Sequence, residues 1–309
     1  MDFIALLKKG VQYLSDSDYR FLINASLGLH NGMSDEAFIK RKYKAIVGQP
    51  LNLEDPQLFN EKLQWLKLHY RKPEFTTMVD KCEAKKYVES ILGPDYIIPT
   101  LGVWKSFEEI DFDALPQRFV LKCTHDCGGL VICKDKSKLD KAAAKKKLEK
   151  SLKNNFFWYG REWPYKNVEP RIIAEQYMEE APDSGLTDYK VMCFGGEPKI
   201  VQIHQGRFEG NHRQDYYDLD WNHLEITQGQ PMSEQALERP VFLEKMLELS
   251  RVLSKDLPHL RVDWYYIDGQ LYLGELTFFD GSGFDHFDQE EWHLRLGSYI
   301  KLPERIDRD

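Results

Sequence analysis

Residues 261–284 read RVDWYYIDGQLYLGELTFFDGSGF, two apolar strands folded back over Asp268-Gly269 with charges where a half-buried sheet normally has none. Arg261 and Asp263 are two apart on the first strand, and Glu275 and Thr277 two apart on the second, so each pair shares a face by the strand period of two. Whether the pairs meet depends on register. A two-residue turn at Asp268 and Gly269 pairs Ile267 with Gln270 and sends Asp263 and Glu275 to opposite faces. An odd-length loop, Ile267-Asp268-Gly269 with Gly269 at positive φ as a bulge, brings all four to one face. Two carboxylates and an arginine gathered there form a site for a hard cation of the Mg2+ kind, where a few protein oxygens leave positions for phosphates. A structural ion pair of Arg261 with Asp263 or Glu275 satisfies the same residues.

The chain around this hairpin has 309 residues, 42% apolar and 30% charged, the composition of an ordinary soluble protein of about two domains or one large α/β unit. A net charge of −8 argues against a general nucleic-acid binder, which needs a basic face to neutralise phosphates. Five cysteines are too few and odd in number for a disulfide framework, which favours a reducing compartment. With no signal-peptide pattern in residues 1–29 and no long apolar run, the expected location is the cytoplasm, without a membrane span.

Residues 1–75 carry helical periodicity, clearest in 35–43 and in 60–70, where Asn60 is placed to cap. Residues 77–92 predict one more helix ended by Gly93-Pro94, and 96–104 a strand. Strands at 119–121 and 130–133 flank a polar turn, Thr124 to Gly129, after Lys122. Such a turn can offer backbone N–H groups and one point charge to a polyphosphate, although it lacks the P-loop spacing; a bare hairpin with a surface lysine fits as well. Cys123, His125 and Cys127 sit on that one turn without a second ligand pair, a poor pattern for zinc. Residues 138–153 form a solvated basic helix, and 154–167, with Trp158, Arg161 and Trp163, an expected substrate-facing loop. Strands follow at 171–178, 188–193 and 198–204, then a polar segment, 205–225, with the pattern of a mobile loop, and an amphipathic helix at 240–255.

Taken in order, FVLK with its glycine turn, IIAEQYM, DYK, and RVD followed by GEL resemble an ATP-grasp enzyme, and FNEKLQWLKL, DYKVMCFGGEPK, YYDLDWN and GELTFFDGSGF resemble its TupA-like branch, named for teichuronopeptide synthesis. The resemblance covers about residues 34–302. It implies an α+β ATP-grasp fold with a nucleotide clamped between two α+β subdomains, preceded by a helical N-terminal region. With the change from helical to strand-rich pattern near 115, the chain divides into a helical region at 1–75, the start of the ATP-grasp unit at 76–115, a lid subdomain at 116–190 and a metal- and phosphate-binding subdomain at 191–309. By position, Lys81 and Lys122 resemble the lysines that meet ATP phosphates, and Thr124, Gly128 and Gly129 the lid. Glu175, Gln176, Tyr177 and Met178 resemble the hinge that reads adenine, and Asp188 the ribose contact. Of the two catalytic cations the resemblance implies, Lys190 faces phosphate or substrate and Arg261 resembles the arginine near the transferred phosphoryl group, while Asp263 and Glu275 resemble the metal ligands. The wider family commonly has Asn where this chain has Thr277, which puts the third ligand in question; Asp280 is a substitute. His204, Arg207 and Arg213 lie where acceptor contacts are plausible.

The resemblance implies ATP with Mg2+, or Mn2+, as cofactors. The partners it implies are a small-molecule or saccharide carboxylate and an amine, joined through an acyl phosphate with release of ADP and phosphate. Members of the branch are associated with surface-polysaccharide assembly, which suggests amide formation on a uronic acid. A glycosyltransferase of the same pathway and a non-catalytic nucleotide-binding protein are the competing readings.

Overall fold

A computed structural model describes residues 3–126, 128–180, 186–207 and 210–304. In chain order its helices are α1 (Phe3–Ser15), α2 (Ser17–Ser26), α3 (Asp35–Val47), α4 (Phe59–His69), α5 (Glu74–Val79), α6 (Glu83–Leu92), α7 (Lys141–Leu152), α8 (Phe157–Gly160), α9 (Leu243–Leu253) and α10 (Glu290–Tyr299). Its strands are β1 (Thr100–Trp104), β2 (Phe119–Cys123), β3 (Leu130–Cys133), β4 (Ile172–Gln176), β5 (Asp188–Phe194), β6 (Glu197–Gln205), β7 (Arg213–Tyr217), β8 (His223–Leu224), β9 (His259–Ile267) and β10 (Gln270–Thr277).

The strands form two antiparallel sheets, one in the order β1-β4-β2-β3 and one in the order β10-β9-β5-β6-β7-β8. Each has its own core, set by the period of two. In the smaller sheet Phe119, Leu121, Ile172 and Ala174 point one way and pack on Ala144 and Leu148 of α7; Lys122 and Glu175 therefore point the other way. In the larger sheet Val191, Cys193, Val201, Ile203, Val262 and Trp264 pack with Met246, Leu249 and Leu253 of α9. The alternate residues of that sheet, many of them charged, occupy its opposite face. Sheet membership cuts across the divisions expected at 115 and 190, since β1 lies with β2–β4, and β5, with Asp188 and Lys190, lies in the other sheet.

Three local expectations are corrected. Asn60 does not cap α4: the Glu61 carboxylate accepts from Gln57 N at 2.9 Å and Leu58 N at 3.0 Å, while Asn60 Nδ2 donates to Asp285 O at 2.5 Å. The single helix expected at 77–92 is two, because Asp80 accepts from Cys82 N and holds Arg171 Nη2 at 2.7 Å, turning the chain between α5 and α6. Residues 205–225 are not a loop throughout: β7 pairs residue by residue with β6, and Gln214, Asp215, Tyr216 and Tyr217 are buried. Its polar residues are tolerated because they bond one another; Asp215 accepts from Ser233 N at 3.0 Å and from Ser233 Oγ at 2.6 Å. Cys127, residues 181–185 between the strands expected at 171–178 and 188–193, and Phe208 and Glu209 of the segment after β6 lie outside the described residues.

Residues 154–167 also pack inward. Arg161 is buried, donates to His30 O at 3.0 Å and stacks over Phe38, and Trp163 stacks on Phe75. The expected substrate-facing loop is thus a joint to the N-terminal helices.

Candidate active site

The β9–β10 hairpin closes with a two-residue turn, Asp268 at φ 51° and Gly269 at φ 86°, and pairs Ile267 with Gln270. This overturns the odd-length loop, yet Asp263 still faces Glu275. The register shift occurs farther along, between Leu273 and Glu275, where Gly274 is the extra residue of a bulge. A Cβ at Gly274 would lie 2.9 Å from the Tyr265 ring and 3.3 Å from Asp263 O, so the bulge packs too closely for a side chain.

The larger sheet then lines up its charges. Glu275 lies opposite Asp263, Asp263 opposite Lys190, Lys190 opposite Gln202 and Gln202 opposite Tyr216, a single row running from β10 to β7. In the next row Thr277 lies opposite Arg261. On the other side Asp188 lies opposite His204, and His204 opposite Gln214.

Contacts bind these rows together. Arg261 Nε donates to Asp263 Oδ1 at 2.7 Å and Nη2 to Asp263 Oδ2 at 2.8 Å, while Nη1 donates to Asp280. Lys190 Nζ donates to Asp263 and lies 4.0 Å from Asp188 Oδ2, which also accepts from Arg207 at 3.2 Å. Thr277 Oγ1 accepts from Arg261 Nη2 at 3.1 Å and donates to Glu275 Oε1 at 2.9 Å. For Asp263 and Arg261 burial opposes the charge and the pairing overcomes it. The Asp263 carboxyl is held below its usual range by Arg261 and Lys190, and the guanidinium is held charged by Asp263 and Asp280. His204 is half-buried; desolvation and the neighbouring Lys190, Arg261 and Arg207 push it down to about 2, so it stays neutral, and its Nδ1 lies 2.8 Å from His212 Nε2.

Among the described residues no group of three or more His, Cys, Asp and Glu side chains forms a cage for a metal ion. Two facing carboxylates with a hydroxyl beside them fit a cation such as Mg2+, which keeps waters and takes the rest of its shell from phosphate oxygens. The donors are hard oxygens, and half-buried Glu275 leaves the pair open to a ligand.

A second cluster lies on the smaller sheet. Glu175 holds Lys122 Nζ at 2.5 Å and Lys85 Nζ at 2.6 Å. Burial alone would raise its carboxyl, but the two lysines bring it down to about 2. Gln176 is exposed, Tyr177 lies under the Arg118 guanidinium, and Met178 is half-buried beyond the strand end. Lys81 Nζ donates to Asp126 O at 2.5 Å, which ties it to the glycine turn. Of that turn, Gly128 is exposed, Thr124 is buried with its hydroxyl on Glu169 O, and a Cβ at Gly129 would sit 2.5 Å from Cys123 Sγ. Cys123 is buried, and His125 Nε2 lies against Ser151 O and Asn154 O.

Asp188, Lys190, Arg261, Asp263, Glu275, Thr277 and His204 thus share one sheet face, Arg207 reaches Asp188 from just beyond the end of β6, and on the other sheet Glu175 holds Lys122 together with Lys85 of α6. Arg213 is not among them: it precedes Gln214 on β7, points to the opposite face and donates to Met232 O at 3.2 Å. Lys85 and His259, whose Nε2 lies 3.3 Å from Asp280 Oδ2, were missed in the sequence. Lys85 carries a signal in the sequence, a helical spacing of four from Lys81, although Lys81 itself sits in the turn before α6.

A family model described as TupA-like ATPgrasp matches residues 61–301. None of the curated proteins compared with the chain matches it. Similar solved structures include D-alanine–D-alanine ligase from Bacillus anthracis complexed with ATP, at 19% identity and TM-score 0.38, the match covering 65% of this chain and 54% of that one. D-alanine–D-alanine ligase from Helicobacter pylori matches at 14% identity and TM-score 0.43, covering 79% and 69%. The biotin carboxylase domain of 2-oxoglutarate carboxylase from Hydrogenobacter thermophilus, with MgADP, ADP and bicarbonate, matches at 15% identity and TM-score 0.40, covering 74% and 47%. The chain spans about half the length of the Bacillus anthracis ligase.

Proposed function

Because the chain belongs to the TupA-like ATP-grasp family and has its α+β fold, we propose that it is an ATP-dependent carboxylate–amine ligase that modifies a surface polysaccharide or its sugar precursor. The observation that carries this reading is the row Glu275–Asp263–Lys190 with Arg261 beside it, two acidic and two basic side chains on one face. An ion pair alone does not need Glu275 in that row, since Arg261 and Lys190 already satisfy Asp263.

Asp263 and Glu275, with Thr277, would hold Mg2+. A bound ion would supply charge neutralisation for phosphate oxygens at these residues. Arg261 and Lys190 are placed to stabilise charge spreading over that group as it passes to a substrate carboxylate. Phosphorylation converts the poor carboxylate electrophile into an acyl phosphate, an amine attacks the acyl carbon, and phosphate leaves. Asp263 and Asp280 keep Arg261 charged throughout, so it can partner the developing oxyanion. Lys122 and Lys85 would meet the nucleotide on the smaller sheet, exchanging Glu175 for phosphate, while Asp188 would take the ribose. Arg207 is the cation best placed for the acceptor carboxylate.

Coupled assays of ADP and phosphate release, run with Mg2+ against a panel of uronic acids, amino acids and amino sugars, test the reading. Release of both with one carboxylate–amine pair is expected. AMP as the product, or no nucleotide turnover with any pair, would overturn it.

A further inference from the structure

Helix α4 carries Asn60, Gln64 and Lys67 at spacings of four and three, one stripe along its surface, and all three are buried. Each donates to main-chain carbonyls of a single segment. Asn60 Nδ2 donates to Asp285 O at 2.5 Å, Gln64 Nε2 to Ser282 O at 3.1 Å and Gly283 O at 2.7 Å, and Lys67 Nζ to Ser282 O at 2.7 Å. Lys67 Nζ also donates to Gly160 O at 2.8 Å and Gln64 Oε1 at 2.9 Å, so all three of its protons are used.

The segment so gripped has an unusual backbone: Gly281, Ser282 and Gly283 are left-handed at φ 51°, 57° and 67°. Ser282 is not a glycine, and a left-handed non-glycine persists where its surroundings over-determine it. Those surroundings are α4 and residues 160–162: Ser282 Oγ donates to Glu162, and a Cβ at Gly283 would lie 2.7 Å from Gln64 Nε2. Asp280 immediately precedes this turn, and its carboxylate takes Arg261 Nη1 and His259 Nε2.

The geometry points to Gln64 and Lys67 as positioning residues for Arg261, holding the 281–283 turn in its left-handed form so that Asp280 meets the guanidinium. They touch neither Arg261 nor the carboxylates of the β9–β10 row. Their action is transmitted through one backbone turn and one carboxylate. Burial draws the Lys67 ammonium down from its usual range, opposed by Glu162, a cost that a loop tie made by a neutral side chain would avoid. The inference rests on the reading of Arg261 as a phosphate-binding cation only for its consequence in catalysis; the hold on Asp280 stands on the contacts alone.

Two separate variants of the full chain, Lys67→Met and Gln64→Leu, test it, so that a folding failure of the first leaves the second. The Ser282 and Phe284 amides, which donate to Phe279 O and Gly281 O, should exchange hydrogen about ten-fold faster, the effect of losing one buried hydrogen bond, while α9 amides keep their rates. Without any ligand, the Arg261 Nε–H resonance should shift in both variants, with Lys67→Arg restoring it at least partly. Exchange unchanged at Ser282 and Phe284, or raised evenly across α9 and β9, overturns the clamp. An Arg261 resonance that stays in place while the turn loosens overturns the positioning role. Titration of the unaltered protein with Mg·ADP addresses the functional reading separately, because absence of binding there would sink that reading and leave the Arg261 resonance to judge this one.

Discussion

Asp263 and Glu275 face each other across β9 and β10 because Gly274 is one residue more than the hairpin needs. A side chain at Gly274 meets the Tyr265 ring and the Asp263 carbonyl. Gly274→Val should therefore cost about 1–3 kcal/mol, as overpacking does, and abolish Mg2+-dependent nucleotide binding by displacing Asp263. Thermal melting and nucleotide titration with and without Mg2+ check both; a parental melting temperature would refute the packing account.

The bulge left a trace in the sequence. Leu271 and Leu273 alternate as a strand should, and the next core residue, Leu276, comes three positions later instead of two. That break in period marks an inserted residue, but the turn at Asp268-Gly269 drew the register instead. Periodicity served well for helices such as α3 and α9, whose apolar stripes are wide. It failed for β7, where Gln214 and Tyr216 lie on the polar sheet face and Asp215 is satisfied by Ser233 and His223, so no apolar alternation exists to read. Asp280 was legible only as a nearby carboxylate, since its reach to Arg261 depends on the left-handed turn after it.

Glu175 makes stability depend on acid. Its folded pKa of about 2 lies below the ordinary 4.5, so the stabilisation is complete above 4.5 and is lost as pH falls toward 2. The shift corresponds to ~3 kcal/mol at full ionisation. Denaturant melts between pH 5 and 2 should fall more steeply for the parent than for Glu175→Gln, in which this dependence is missing. Parallel curves would mean that Lys85 and Lys122 do not govern the carboxylate.

Asp263 and Thr277 should separate in kinetics. Asp263→Asn removes a charge that both Arg261 and Lys190 require, and turnover should drop at least ~100-fold, in the range seen when a charge-stabilising group is lost. Thr277→Ala removes a neutral oxygen bonded to Glu275; the Mg2+ concentration for half-maximal rate should rise several-fold while kcat changes little. Equal effects on kcat would place Thr277 outside the metal shell.

Arg207 should read the acceptor and not the nucleotide. Its side chain is 52% exposed and bonds buried Asp188 at 3.2 Å, so the pair adds little to stability, at most about 1 kcal/mol by analogy with surface pairs. An exposed cation tethered at one edge of the charged row can swing to an incoming carboxylate at small cost, whereas buried Lys190 and half-buried Arg261 are fixed by Asp263. His204 next to it stays neutral and so does not compete as a second cation. Arg207→Ala should leave the melting temperature and ATP affinity near parental values and raise KM for the carboxylate about ten-fold, the size of one charge-assisted contact. A carboxylate KM that does not move, or an equal loss of ATP affinity, would assign Arg207 to the nucleotide side of the site.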